Sequence, residues 1–120
     1  MKIKRFEDIK GWQEGRVLTM MVYKVSNVEK FARDYGLRDQ TRRAATSVMA
    51  NIAEGFDSQS DVEFIRFLSY ARRSASEVQS HLYVALDQKY ITQKQFDEIY
   101  QKAVEAKNLI SGFIRYLGKK

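Results

Sequence analysis

Apolar residues recur at intervals of three and four along most of this chain, the spacing of one face of an α-helix. Between about residues 93 and 117, Phe96, Ile99, Ala103, Ala106, Ile110, Phe113 and Leu117 paint a single stripe. Ile65, Leu68, Ala75, Val78, Leu82 and Leu86 do so between about 61 and 89, and Leu37, Thr41, Ala44, Val48 and Ile52 between about 37 and 54. A fourth segment runs from about Phe6 to Ser26, and Asn27 to Asp34 can add a helical turn. No period-2 run bounded by turn residues predicts a strand.

The ends of these segments carry capping chemistry. Ser60-Asp61-Val62-Glu63 and Thr92-Gln93-Lys94-Gln95 are capping boxes, in which a hydroxyl accepts from the third backbone N–H while the side chain three positions on reaches back. Asp61 and Glu63 add negative charge at the positive end of their helix, and Ile91 can staple onto Phe96. Proline is absent, so nothing interrupts long helices. Gly55 stands where a left-handed residue would end a helix, and Gly36 stands in the break before that helix. Short connections between amphipathic helices predict an all-α fold, an antiparallel up-down four-helix bundle forming a single domain over residues 1–120.

Two features depart from a simple bundle. In the first segment Val17, Leu18, Met20, Met21, Val22, Tyr23 and Val25 leave almost no polar face, and a helix apolar all round is buried all round. One bundle covers only one side of each helix, so this segment is expected to lie in a subunit interface as well. Gly11 and Gly15, four apart on the same segment, each cost up to about 1 kcal/mol relative to Ala. They imply a close backbone approach or a frayed helix end.

Composition narrows the function. A 120-residue chain with 44% hydrophobic residues, 30% charged residues, seven Tyr, seven Phe and one Trp has the means to pack a core. Absent cysteine removes disulfides, thiolate metal sites and thiol nucleophiles. No stretch approaches the roughly 18 apolar residues of a membrane span, nor a signal peptide, which leads us to expect a soluble cytoplasmic protein. The excess of 21 Lys and Arg over 15 Asp and Glu, a net charge of +6, favours anionic partners, nucleic acid first.

Catalytic chemistry finds little support. His81 is the one histidine, and it stands four residues after Glu77 instead of the three of a di-iron bundle motif; beside Val78 and Leu82 it reads as a core residue. No Gly-rich phosphate loop, nucleophile elbow or carboxylate pair is present. Neither an enzyme nor a cofactor is expected.

The segment from Gln40 to Gly55 interleaves small residues with polar ones, and Ser69, Ala71, Ser74, Ala75 and Ser76 echo it. A hairpin turning near Ser58 sets Arg43 beside Arg73 with Glu77 a turn away. Small residues then bring the axes close, and Arg43, Glu54 and Glu77 are expected to pair within a structural polar network that includes Asn51 and Ser74. The basic set left over is Arg38, Arg42, Arg72 and Arg73, with Arg66 two turns towards the loop. Such a set suits phosphate backbones, and a solvated face without a ligand is its plain alternative.

Gln40, Arg43-Ala44, Ser47 and Asn51-Ile-Ala-Glu-Gly55, followed by Phe64, Phe67-Leu68, Ala71, Ser74 and Glu77, resemble the four-helix proteins encoded by intervening sequences of bacterial 23S ribosomal RNA genes. A related branch is similar to the accessory variability determinant of diversity-generating retroelements, a basic barrel of five bundles. The resemblance implies a four-helix bundle, a homopentamer and a nucleic-acid role, without an enzymatic activity. Arg73 departs from the family pattern, where Gly is usual, and Met49 stands where Pro is common. The first adds charge and the second leaves its helix straighter. The expected function is a basic, homo-oligomeric helical module that binds RNA or DNA through phosphate contacts; the competing expectation is an adaptor that docks a protein partner.

Overall fold

The computed structural model describes residues 3–120, and these form five α-helices and one 3-10 turn, with no strand among them. They are α1 (Lys10–Ser26), α2 (Glu29–Arg33), α3 (Tyr35–Phe56), α4 (Asp61–Asp87) and α5 (Gln93–Gly118), and the 3-10 turn is Phe6–Asp8. Four of the helices are long, and the fifth is the turn anticipated between Asn27 and Asp34.

The expected start of the first helix at Phe6 is corrected. The chain breaks at Ile9, whose backbone is extended and whose side chain is 3% exposed. Burying this residue anchors the 3-10 turn against the core, so α1 begins only at Lys10.

Side-chain oxygens start the later helices. Ser60 accepts from Glu63 N at 3.2 Å, and Thr92 and Gln95 close a complete capping box. The box at Ser60 is half made, because Glu63 turns to Arg66 at 2.7 Å and not back to the cap. Asp34 caps α3 by accepting from Leu37 N at 3.2 Å. Its other oxygen accepts from Tyr90 Oη at 2.9 Å, which ties the α2–α3 junction to the α4–α5 turn. The carboxylate beside it raises the Tyr90 pKa above its ordinary value, with partial burial adding to the effect.

Each long helix packs on two others: α1 on α3 and α5, α3 on α4, and α4 on α5. The order around the bundle is therefore α1, α3, α4, α5, with α2 laid across the end of α3. One contiguous core results, filled by the predicted stripes, with Leu18, Val48, Ile52, Leu68, Val78, Leu82, Ile99 and Ile110 at 0–2% exposure.

Gly55 and Gly36 play a part different from the one expected of them. Gly55 lies inside α3, and no described glycine has a positive φ. A Cβ there would stand 2.8 Å from Phe64 Cδ1 and 2.9 Å from Phe67 Cβ, so Gly55 is required by the closeness of α4. Gly36 is likewise inside α3, with open space around it. Gly11 and Gly15 are buried: a Cβ would meet Ile110 Cγ1 at 3.2 Å and Val48 Cγ1 at 3.0 Å, which decides for close approach over fraying.

The left-handed turn at the end of α4 falls instead on Lys89, at φ 61°. Tyr90 N donates to Ala85 O and Lys89 N to Leu86 O, both at 2.9 Å, the bond pair of a Schellman motif usually built on glycine.

Opposite substitutions test this reading. Gly55→Ala should cost about 2 kcal/mol by overpacking against two phenylalanines, whereas Lys89→Gly should gain about 1 kcal/mol by relieving the left-handed residue. Equilibrium urea denaturation measures both, and an unchanged Gly55→Ala midpoint would contradict a tight α3–α4 contact.

Candidate nucleic-acid interface

The order of helices determines which charged residues share a groove. Along α1, Trp12, Arg16, Thr19, Tyr23 and Ser26 recur at three and four and follow the edge facing α3, where Thr19 Oγ1 donates to Ala45 O at 3.2 Å. Glu14, Val17, Met21 and Lys24 follow the edge facing α5, where Glu14 Oε2 accepts from Lys102 Nζ at 2.8 Å.

The predicted basic set divides between opposite grooves. Arg42 turns towards α1: its Nε donates to Ser26 Oγ at 2.8 Å and its guanidinium lies 4.5 Å from the centroid of the Tyr23 ring. Arg38, one turn earlier, donates to Ala32 O at 3.0 Å and pairs with Asp39 at 2.9 Å, with its guanidinium 4.9 Å from the Tyr35 ring. Arg72 turns the other way, towards α5, and donates to Ser111 Oγ at 3.1 Å. Arg73 is exposed over Tyr70 at 5.7 Å, and Arg66 is held by Glu63. The structure thus brings Arg38 and Arg42 together and parts them from Arg72, because α3 and α4 lie between the two grooves.

The expected polar network is also corrected. By their spacing Arg43, Asn51 and Glu54 share the edge of α3 towards α4, and Ser74 and Glu77 share an edge of α4 with Phe67, which meets Gly55. The ion pairs nevertheless do not form. Asn51 Nδ2 donates back to Ser47 O at 2.9 Å, and Glu77 Oε2 lies 3.5 Å from His81 Nε2. Arg43 and Glu54, both exposed, join no ion pair among the described residues. Eleven residues separate them on one helix, about 16 Å along its axis, and for exposed groups water offsets most of what a pair would contribute.

His81 keeps its place in the packing, with its side chain 18% exposed and Nε2 shut off from solvent without a hydrogen bond. Among the described residues no group of three or more His, Asp and Glu could hold a metal ion, and no helix is long and apolar enough to cross a membrane.

Part of the apolar surface of α1 remains uncovered. Leu18, Val22 and Val25 are buried, but Val17, Met20 and Tyr23 stay 39%, 64% and 44% exposed. On α5 Leu109 and Tyr116 are exposed as well, and both line a cleft of about 530 Å³ over Ile9 and Phe113.

Aromatic partners of the arginines escaped the reading of the sequence, although three of them were legible in it. Trp12 with Arg16, Tyr35 with Arg38 and Tyr70 with Arg73 sit three or four apart, the spacing of neighbours on a helix. Tyr23 with Arg42 joins two helices and needed the tertiary structure.

These features define a class: an all-helical bundle with a basic surplus on its grooves. The chain belongs to the 23S rRNA-intervening sequence protein family, whose model matches residues 7–112. Its fold is shared with a crystal structure from Bacteroides thetaiotaomicron, a protein of unknown function from the S23 ribosomal protein family. That likeness has a TM-score of 0.80 at 24% identity, covering 88% of this chain and 95% of the other. No curated protein matches the sequence.

One cross-helix contact in the α1–α5 groove yields a pH-dependent prediction. The hydrogen bond that Lys102 donates to Glu14 is the main cause of the raised Lys102 pKa, partly opposed by desolvation and aided by Glu105. A lysine whose folded pKa is raised contributes stability that is present in full below its unfolded value and lost as pH rises through the folded one. Glu14→Gln should therefore cost about 1 kcal/mol near pH 7, and denaturation midpoints of the two proteins should converge once the pH passes the lysine range above 10.5.

Proposed function

We propose that this protein is a non-enzymatic, cytoplasmic helical module that binds RNA or DNA mainly through phosphate contacts and assembles with copies of itself. The observation that carries the reading is the state of its basic side chains. Among the described residues, Arg5, Arg38, Arg66, Lys102 and Lys120 are the only Lys and Arg in ion pairs, so most of the surplus behind the +6 charge stands free. Arg42 and Arg72 are steered by neutral hydroxyls, which orient a guanidinium without cancelling its charge. Arg43, expected to be neutralised inside the bundle, adds to that surface.

Self-association is supported by the exposed apolar residues Val17 and Met20 on α1 and Leu109 and Tyr116 on α5. Five copies, as in the accessory determinant that the sequence resembles, is the state we favour, with a four-helix bundle as the repeating unit. The same residues support a second reading, an adaptor that docks a protein partner within a nucleoprotein complex.

Affinity for a structured RNA should fall steeply between 50 and 200 mM salt, as counterion release demands. Substituting Arg38, Arg42, Arg72 and Arg73 should weaken binding similarly across sequences and lower the salt slope by about one for each phosphate no longer neutralised. Absence of binding at low salt overturns the reading. Light scattering should give a mass several times that of one chain, and a monomer at micromolar concentration would remove the assembly part.

A further inference from the structure

From the α1–α3 groove we infer that the protein grips an unpaired polynucleotide strand there, by stacking bases on aromatic rings as well as by meeting phosphates. The inference rests on the nucleic-acid reading above and adds to it the site and the strandedness of the ligand.

Three of the four arginine–aromatic contacts in the described residues lie along this one groove. Arg16 stands 5.9 Å from the Trp12 ring, Arg42 stands 4.5 Å from Tyr23 and Arg38 stands 4.9 Å from Tyr35. Trp12 is half-buried against Phe6 and the core, so the rings open to a base are Tyr23 and, beyond the end of that helix, Tyr35.

Tyr35 is the most exposed aromatic ring among the described residues at 64%, and Tyr23 is 44% exposed, each with a guanidinium over it. Neither hydroxyl makes a hydrogen bond within the described residues that would explain its position. An exposed ring flanked by a fixed cation offers a π-face to a base and a charge to the adjoining phosphate, the pairing used by proteins that bind single strands.

Two of the cations are held ready. Ser26 is fully buried and its hydroxyl receives Arg42 Nε, while the Ala32 carbonyl receives Arg38 Nη1 at 3.0 Å. Asp39 offsets part of the Arg38 charge; among the described residues Arg16 and Arg42 face no carboxylate within ion-pair distance. A duplex hides its base faces and would use only the cations.

Fluorescence anisotropy with a labelled single strand, its duplex and an abasic strand of equal length tests this. The single strand should bind roughly ten-fold or more tighter than the other two. Tyr23→Leu with Tyr35→Leu should weaken the single strand by about ten-fold per ring, leaving the duplex affinity, the circular dichroism and the mass by light scattering unchanged. Tyr23→Phe with Tyr35→Phe should restore single-strand binding, since the ring acts and the hydroxyl does not. Equal affinity for all three ligands, with the tyrosine variants unaffected, overturns the inference while leaving phosphate binding intact. Failure to bind any of them overturns both readings. A change of mass in the leucine variant assigns the groove to a subunit contact and overturns the stacking role.

Discussion

Everything in this fold depends on how closely its helices approach. Gly55 lets α4 come so near α3 that the space of a missing methyl is taken by Phe64 and Phe67. Gly11 and Gly15 do the same for α1 against Ile110 and Val48, and buried alanines continue the seams at Ala44, Ala45, Ala71, Ala75, Ala103 and Ala106. Small residues gain little dispersion energy of their own, but they let the larger ones beside them interlock at crystal-like density. The glycines weaken isolated helices, and packing offsets that weakness.

Close approach has a consequence at the surface. When the interior is filled by small residues and short aliphatics, the large amphipathic side chains stand on the rims of the grooves. There Arg42 crosses from α3 to Ser26 and Tyr23, Arg72 from α4 to Ser111, and Lys102 from α5 to Glu14. These contacts tie neighbouring helices while leaving the arginines their charge. The same bonds that bridge neighbouring helices also aim cations into the grooves, so the structural and the proposed binding roles of Arg42 are not alternatives.

The helices were legible because their signals are local. Thr92 and Gln95 are three residues apart, and the stripe from Phe96 to Leu117 repeats within each turn, so neither depends on the rest of the chain. The break at Ile9 was less visible, since a buried isoleucine with extended backbone looks in sequence like one more apolar position of a helix. Gly55 misled for a related reason: glycine marks both a left-handed residue and a place without room for a Cβ, and only the neighbouring phenylalanines separate the two.

The sequence by itself determined that this chain is helical, where most helices begin, which face of each is apolar, and that positive charge is in excess. Each of these follows from residue type and spacing within a turn or two. Only the tertiary structure decided that Arg42 and Arg72 open onto opposite grooves, that Arg43 and Glu77 do not pair across the hairpin, and that Tyr23 meets Arg42. A guanidinium reaches only a few ångströms, so its partner depends on the order and offset of helices that are distant in the chain. Periodicity along one helix carries no information about either.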